Sequence, residues 1–328
     1  MSFEAKLNFT NDIAKQLKEK KNLSDSSIKA YMRNLQKLNK DEPFKNFNFL
    51  KDTEVIERRL DSYKENTKRN YLVSIVSVLS IVDKPSIKKL HKKYFDLMMK
   101  KSDEINKETN PNEMTETQEK NWMSWDDIKT KHKSVETNVM TFTDNKTITE
   151  SQYNTLLSYI ILSLYVYNPP RRNKDYQIMD IVFERTPELD KSRNYLDLTN
   201  KQFVFNDYKT SSKYGTQIVP ISEELWSALK IYFKFHPLFP KKLKKDIDIP
   251  FLVYHNKSPL NKVNSITRIL NKLFDKAIGS SMLRHIYLTG KYGGVLDEQK
   301  KDASNMAHSE SQQKEYIKKP KKILVSFK

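Results

Sequence analysis

The stretch NYLDLTNKQFVFNDYKTSSKYGTQIVPIS, residues 194–222, decides the fold class, because the helical pattern of the surrounding chain stops there. Three segments within it, 194–199, 202–209 and 215–222, are short and rich in aromatic and branched residues. Turn signals separate them, which is typical of consecutive strands. The stretch therefore predicts a three-stranded antiparallel sheet.

Helical patterns lie on both sides of this stretch, with apolar residues recurring every three to four positions. A buried helix is expected to begin after Thr149, a good cap residue, and to end before Pro169 and Pro170. Further helices are expected at 222–235, 264–277, 280–290 and 298–307. The predicted fold class is mainly α with a small antiparallel β-sheet, an α+β protein.

The first hundred residues also follow a helical period. Two helices are expected there, one at 25–38 capped by Asp25 or Ser26, and one at 64–82 opened by Asn66 or Thr67. From 101 to 121 large apolar residues almost disappear. The sequence therefore predicts a helical domain (1–100), a linker (101–121) and a second domain (122–328) whose tail starts at about 317.

The charge balance indicates the partner. Lys and Arg number 59 against 41 Asp and Glu in 328 residues, which leaves a net charge of +18. A field of that sign attracts polyanions, so double-stranded DNA is the expected partner. Cations near helix starts suit phosphates, and the candidate DNA contacts of the first domain are Lys29, Arg33, Lys64, Lys68 and Arg69. The alternative is an ordinary amphipathic domain with its lysines in solvent.

Several function classes are excluded or disfavoured by composition. The chain has no cysteine, which removes disulfides, thiolate nucleophiles and zinc fingers, and its five glycines form no phosphate-binding loop motif. No apolar run is long enough to span a bilayer and no secretion signal is found. We expect no metal, no small-molecule cofactor and no membrane, and a location inside the cell at DNA, in the host nucleus or a viral replication compartment, without secretion.

Four stretches of the second domain carry polar residues suited to chemistry. They contain Arg171, Arg172 and Asp175 after the Pro-Pro pair, Lys209 and Lys213 around a hairpin turn, Arg284 and His285 in SSMLRHIYLTG (280–290), and His308 and Tyr316 near the carboxyl end. Arg172 and Asp175 are spaced so that the carboxylate could hold the guanidinium. Taken singly, each of these residues has an ordinary explanation as a solvated surface group.

Their order is more informative than any one of them. An arginine, a hairpin lysine, an Arg-His pair in a helix, an Ala-His-Ser and then a tyrosine resemble the tyrosine recombinases, the phage-integrase superfamily, over about residues 125–320. The wording PPRRNKDY and SSMLRHIYLTG is most similar to integrases of giant DNA viruses, virophages and related mobile elements. The amino-terminal region is similar, less specifically, to the core-binding domain of that superfamily.

The resemblance implies a catalytic set of Arg172, Lys209, Arg284, His308 and Tyr316. It also implies that these side chains gather in one pocket and that Arg171 and Lys213 contact DNA. Two departures from the family pattern stand out. Ser281 occupies the place of a histidine that usually serves as general base, and the interval from His308 to Tyr316 is one residue short. His285, a water held by Ser281, or arginine electrostatics could replace the missing base.

The implied chemistry is strand cleavage and rejoining through a 3′-phosphotyrosine, without metal or ATP. Two guanidinium groups would neutralise the charge that develops on the phosphate, and Lys209 would protonate the leaving 5′ oxygen. The two domains are expected to clamp duplex DNA, and strand exchange implies a homo-oligomer, a tetramer on paired sites. The apolar tail within KKPKKILVSFK (318–328) could dock on a neighbouring copy or pack on its own domain.

Three other functions stay open at this level. A type IB topoisomerase uses a very similar residue set but works as a monomer. A retroviral-type integrase needs a carboxylate cluster and two metal ions. An inactive DNA-binding protein of the same fold would explain Ser281 and the short interval before Tyr316 as signs of decay.

Overall fold

The computed structural model describes residues 3–108, 113–183, 189–240 and 249–316. The chain divides into two compact units, Met1–Met114 and Thr115–Lys328. The predicted tail from residue 317, and with it the docking segment 318–328, lies outside the described residues.

The first unit is helical, as its apolar period predicts. Its elements are α1 (Phe3–Lys21), α2 (Asp25–Leu38), a 3₁₀ turn (Asn48–Leu50), α3 (Thr53–Leu60), α4 (Glu65–Leu79) and α5 (Pro85–Glu108). Leu17, Leu35 and Ile75 are fully buried at its centre. The Tyr94 hydroxyl donates to the carbonyl of Leu50 at 2.8 Å, so this buried phenol has the partner it needs.

Helix α2 has the predicted bounds, but both expected sets of caps are wrong. Ser24 caps α2, because its Oγ accepts from the backbone N–H of Ser27. Helix α4 starts at Glu65 with Lys64 in the cap position, ahead of the polar residues expected there. The stretch predicted as linker from residue 101 is helical as far as Glu108, since polar residues of good helix propensity extend α5.

The second unit combines helices with one sheet. Its helices are α6 (Glu116–Asn121), α7 (Trp125–Met140), α8 (Glu150–Val166), α9 (Asn173–Gln177), α10 (Ser211–Tyr214), α11 (Glu223–Phe235), α12 (Ser265–Phe274), α13 (Ser280–Asn305) and α14 (Glu310–Tyr316). Its strands are β1 (Met179–Val182), β2 (Asn194–Asp197), β3 (Gln202–Phe205), β4 (Gln217–Pro220) and β5 (Ile249–Pro250).

Within the described part of this unit, the sheet is mixed and has five strands in the order β4-β3-β2-β1-β5. The predicted antiparallel trio is confirmed as β2, β3 and β4. The expectation of a purely antiparallel three-stranded sheet is wrong, because β1 pairs with β2 in parallel and β5 pairs with β1 antiparallel. Strands of four and two residues, paired across long sequence separations, leave little local signal.

Helix α8 is the centre of this unit. Thr149 caps it in a reciprocal pair with Gln152, and it ends at Val166, before the two prolines, as predicted. Leu156, Ile160 and Leu164 are fully buried in the large core of the unit. Burying such a side chain contributes about 1.5–3 kcal/mol, so α8 is a rigid base for the elements that pack on it.

Helix α13 runs without interruption from Ser280 to Asn305, although two separate helices were expected over this range. Its start is packed on the core, and a Cβ at Gly290 would lie 2.8 Å from the Cβ of Trp125, so this close approach requires glycine. Beyond Gly290 most residues are exposed up to the buried Ala303. We call residues 291–316, the distal part of α13 with α14, the arm.

Among the described residues, no helix is both long and apolar enough to cross a membrane.

Candidate active site

Arg172 and Arg284 line the same pocket, which encloses about 250 Å³. We call it the arginine pocket, and its lining residues are Pro170, Arg171, Arg172, Asp175, Tyr208, Thr210, Tyr214, Gln217 and Arg284. Three guanidinium groups therefore surround one carboxylate, and the pocket has a surplus of positive charge. Such a site suits an anion with several oxygens.

A chain of hydrogen bonds fixes the segment that carries Arg172. The buried Tyr165 hydroxyl on α8 donates to Asn173 Oδ1 at 2.7 Å, and Asn173 Nδ2 donates to Thr267 Oγ1 on α12 at 2.8 Å. Burial raises the pKa of Tyr165, so its hydroxyl keeps the proton that it donates. Asn173 is the first residue of α9, and Arg172 is its cap residue. Arg172 is thereby placed at the joint between α8, α9 and α12.

Asp175 is bound by Arg171, and the expected pairing with Arg172 is wrong. Arg171 Nε lies 3.0 Å from Asp175 Oδ2, Arg171 Nη1 donates to Gln217 Oε1 at 2.9 Å, and the Arg171 guanidinium stacks 3.7 Å above the ring of Phe205. Residues four apart in the sequence are well placed for such an ion pair. The contact between Arg172 and Asp175 is through the backbone, where the N–H of Asp175 donates to the carbonyl of Arg172. Arg171 is therefore held within the protein, and Arg172 stays exposed beside it.

Arg284 has a donor without a protein partner. Its Nη2 donates to Ser281 Oγ at 2.9 Å, while its Nη1 is buried and has no hydrogen-bond partner among the described residues. Burial lowers the pKa of Arg284, and the positive charge of Arg172 lowers it further. An unpaired buried donor next to a like charge is costly. A bound anion would satisfy the donor and relieve the repulsion.

The pKa of Asp175 is shifted in the opposite direction from that of Arg284. Burial raises the pKa of its carboxyl, while the guanidinium of Arg171 acts to lower it. Its Oδ1 is also buried without a partner in the described part of the chain. The carboxylate of Asp175 balances the charge of one of the three guanidinium groups. The positive charges of Arg172 and Arg284 stay unbalanced.

Lys209 is exposed and is not among the lining residues of the arginine pocket, although its chain neighbours Tyr208 and Thr210 are. Its loop is fastened by Asn194, which is fully buried at the start of β2. Asn194 Nδ2 donates to the carbonyls of Asp175 and Asp207, and its Oδ1 accepts from the backbone N–H groups of Asn206 and Asp207 at 2.8 and 2.9 Å. We call residues 206–216, between β3 and β4, the lysine loop, and this one amide ties it to α9.

Lys213 lies further along the same loop, in α10, with its Nζ 5.2 Å from the ring centre of Tyr214. Gly215 follows with φ at +65°, a conformation that favours glycine, and its carbonyl accepts from the Tyr208 hydroxyl at 2.7 Å. The loop thus turns back toward β4 with its lysines at the surface.

His308 and Tyr316 form a pair of their own. Their ring centres are 5.1 Å apart and the rings are nearly parallel, at 19°. The N–H of His308 donates to the carbonyl of Ala303 at 2.8 Å, which fastens the pair to the last turns of α13. Nδ1 of His308 is buried without a partner among the described residues, and Tyr316 is 59% exposed.

The five predicted catalytic residues do not share one pocket within a single chain. Arg284 lies in the second turn of α13 and Ala303 in its last turns. The continuous helix between them is about 28 Å long at about 1.5 Å per residue. Arg172, Arg284 and Lys209 are therefore grouped at one end of α13, and His308 and Tyr316 are grouped at the other.

The other predicted residues are at the surface. His285 and Ser281 are exposed next to Arg284, and Lys29, Arg33, Lys64 and Arg69 are exposed on the first unit. Lys68 is partly withdrawn from any DNA contact by an ion pair with Glu65 at 2.9 Å. Arg69 Nε donates to Ser102 Oγ at 2.8 Å.

Sequence reasoning missed Asn194 and Gln217, and missed that Arg171 is the partner of Asp175. The spacing of four between Arg171 and Asp175 is a signal that could have shown this pair. For Asn194 no local signal exists, because its partners come from α9 and from the loop after β3.

The buried carboxylates of the sheet are already engaged. Asp180 pairs with Arg193, and Asp197 accepts from Asn200 and Gln202. In the part of the chain that the structure describes, no group of three or more His, Asp or Glu side chains could hold a metal ion.

A larger cavity, of about 750 Å³, lies between α7, α8 and α12. Lys131, Glu150 and Lys272 line it together with neutral side chains, and none of the predicted catalytic residues does. The arginine pocket is smaller, but it has the charge and the free donor that indicate a ligand.

Comparison of the chain with protein-family models, with curated proteins and with solved structures finds no match.

Proposed function

We propose that the chain is a tyrosine-type DNA strand transferase, a site-specific recombinase or integrase that acts without metal or ATP. One observation carries the proposal: Arg284 and Arg172 line the same pocket, and the buried Nη1 of Arg284 has no hydrogen-bond partner among the described residues. A phosphodiester offers the nonbridging oxygens that such a pair binds. The net charge of +18 supports DNA as the molecule that carries this phosphodiester.

The proposed step conserves the number of phosphoester bonds. The Tyr316 phenolate oxygen attacks phosphorus, the bond from phosphorus to the 5′ oxygen breaks, and a 3′-phosphotyrosine forms. The phenol proton passes to solvent, and Lys209 protonates the departing 5′ oxygen. Arg172 and Arg284 stabilise the charge on the nonbridging oxygens. Attack by a 5′ hydroxyl then reverses the step and reseals the strand.

Ser281 and His285 flank the second arginine. Ser281 Oγ accepts from Arg284 and keeps its own hydroxyl proton for a phosphate oxygen or a water. His285 is exposed, where it can exchange protons with solvent. We propose that these two residues assist proton transfer in place of the histidine that the family pattern would have at 281.

We also propose that the exposed basic residues of the first unit and of the lysine loop add affinity through DNA phosphates, inside the cell in a nucleus or viral replication compartment. Each phosphate contact should lower the logarithm of the binding constant by about 0.9 for each tenfold increase in salt. A binding constant independent of salt would contradict this part of the proposal.

The test is covalent capture of DNA. The protein is incubated with a nicked suicide duplex whose sequence is taken from the ends of the DNA element that encodes the protein. Denaturing gels show whether a protein-DNA adduct forms. We expect an adduct with the unaltered chain and none with Tyr316→Phe, while the latter binds the duplex equally well. Tyr63→Phe, which alters an exposed tyrosine outside the arginine pocket and the arm, is the matched control. Capture by Tyr316→Phe would remove this residue as the nucleophile.

The separation of Tyr316 from the arginine pocket bears on two alternatives. A type IB topoisomerase completes its site within one molecule. A straight α13 keeps Tyr316 away from the arginine pocket of the same molecule, and this separation argues against a topoisomerase. An inactive DNA-binding protein of the same fold would tolerate the separation. Binding of duplexes without any adduct, for the unaltered chain, would favour this second alternative.

A further inference from the structure

The loop before α12 carries the most exposed large hydrophobic side chain in the described part of the chain. Val263 is 84% exposed, and the next value among large hydrophobic side chains is 59%. Leu260 before the loop and Ser265 after it are buried, so only residues 261–264 extend into solvent. We call residues 261–264 the valine loop.

The valine loop is held in place by α9, the helix that Arg172 caps. Gln177 Nε2, on α9, donates to the carbonyls of Leu260 and Lys262 at 2.9 and 2.7 Å. The backbone N–H of Ser265 donates to the same Lys262 carbonyl at 2.9 Å. A stiff β-branched side chain on a fixed loop loses little conformational freedom when it binds a partner. The valine is therefore well suited to recognition.

The valine loop also lies near the arginine pocket. Arg172, which lines the pocket, and Gln177, which holds the loop, are five residues apart on one short helix. At about 1.5 Å per residue they are separated by about 8 Å along the helix axis. With the reach of the Gln177 side chain, Val263 lies within about 20 Å of Arg172. Because base pairs are stacked about 3.4 Å apart, this distance corresponds to roughly six base pairs.

The chain around the valine loop has positive side chains and no acidic ones. Residues 249–274 contain no Asp or Glu, and they contain Lys257, Lys262, Arg268 and Lys272. Such a surface attracts a polyanion. One exposed valine is common on proteins and is too small an apolar surface for a protein interface. A thymine methyl group, by contrast, is an apolar target of matching size, and it lies among phosphates.

We infer that Val263 recognises a thymine in the major groove of the DNA bound at the arginine pocket, by packing against its 5-methyl group. The inference rests on the proposed function, because a backbone phosphate in the arginine pocket is what brings the bases to the loop. Only thymine presents this methyl group in the major groove, so an apolar contact distinguishes it from the other bases. Lys262 binds a neighbouring phosphate and adds affinity without sequence preference.

The first experiment removes the methyl group from the DNA. Each thymine of the intact target duplex is replaced in turn by deoxyuridine, which pairs in the same way and lacks the methyl group. Fluorescence anisotropy measures binding of the Tyr316→Phe chain, so that no adduct accumulates. One replacement, within roughly six base pairs of the cleaved phosphate, should weaken binding about three- to fivefold, the effect of one methyl group. A duplex without such a thymine would overturn the inference.

The second experiment combines this replacement with Val263→Ala. The variant should weaken binding to the thymine duplex by about three- to fivefold. It should change binding to the deoxyuridine duplex by less than about 1.5-fold, because the methyl contact is already absent there. Met140→Ala, an exposed apolar residue at the end of α7, is the matched control and should keep the full effect of deoxyuridine. Equal weakening on both duplexes by Val263→Ala would contradict the contact.

A third variant separates phosphate affinity from base recognition. Lys262→Ala should weaken binding to every duplex alike and lower the salt slope by about 0.9, while deoxyuridine keeps its effect. If Lys262→Ala abolished the thymine preference as completely as Val263→Ala does, the preference would come from the shape of the loop. The role of Val263 would then be wrong.

These measurements distinguish failure of the inference from failure of the proposed function. An adduct from the unaltered chain, without any thymine whose effect depends on Val263, would overturn the inference and leave the chemistry. Coupling between Val263 and one thymine, without any adduct, would remove strand transfer and leave the base contact. The thermal midpoint of Val263→Ala should be unchanged, because the side chain is 84% exposed, so weaker binding would not reflect unfolding.

Discussion

Apolar side chains occur at both ends of α13, but they are buried at the start of the helix and about half exposed in the arm. At the start, Leu283 and Ile286 are buried against the core and Arg284 is held beside Arg172. In the arm, Val295 and Leu296 lie half exposed on the same helix. The start of α13 is therefore packed within its own unit, whereas the arm has apolar side chains that its own unit leaves half exposed.

Removing Arg284 should have the largest effect, and the effect should be on chemistry. Arg284→Ala deletes the buried donor without a partner among the described residues, and with it one of the two unbalanced positive charges of the arginine pocket. Loss of one such donor costs about 10²–10³ in rate, or about 3–4 kcal/mol. We expect the rate of adduct formation to fall by this factor in single-turnover assays on the suicide duplex.

The thermal midpoint should discriminate a functional role from a structural one. Because burial and Arg172 both disfavour the charged side chain of Arg284, its removal should leave the midpoint unchanged or higher. Arg268→Ala, an exposed arginine on α12 outside the pocket, serves as the control and should keep the rate. A large drop in the thermal midpoint of Arg284→Ala would reassign this arginine to the core.

The variant Asn194→Ala tests how much the hydrogen bonds of this buried amide contribute to the free energy of unfolding. Asn194→Ala removes four hydrogen bonds from a fully buried position and leaves backbone groups of α9 and of the lysine loop unpaired. We expect unfolding in urea to show a loss of about 3 kcal/mol. Asn154→Ala, on the exposed side of α8, should change stability by less than about 0.5 kcal/mol. Similar values for the two variants would contradict the role given to Asn194.

The smallest effect is expected in the arm. Leu296→Ala truncates a side chain that is 49% exposed, so the free energy of unfolding should change by no more than about 0.5 kcal/mol. Leu283→Ala truncates a fully buried leucine of the same helix and should cost about 3 kcal/mol. Both are measured by urea unfolding at a protein concentration low enough to keep copies apart. Equal losses would show that the arm is covered by its own unit.

Much of the fold follows from local patterns in the sequence. Thr149, the two prolines after α8 and the apolar period of α2 are signals within one turn of the feature that they determine. Strand β1 escaped prediction because its four residues follow α9 almost directly and gain their stability from β2 and β5, far along the chain. Pairing across such distances is not encoded in any short window.

The site was predictable in its residue types and only partly in its geometry. The Pro-Pro-Arg-Arg motif and the Arg-His pair indicated Arg172 and Arg284, which the fold brings to one pocket. The continuous arm was not foreseen, because separate helices were expected at 280–290 and 298–307; the range between them holds Gly293 and Gly294. Glycine only weakens a helix, whereas proline would have ended it, so α13 continues.

The unbroken course of α13 also bears on the safety of the DNA around the protein. On the proposed function, a molecule whose α13 stays straight leaves a duplex uncut, because its nucleophile is held a helix length away from the phosphate. Under that proposal, the length of one helix protects other DNA sequences from being cut.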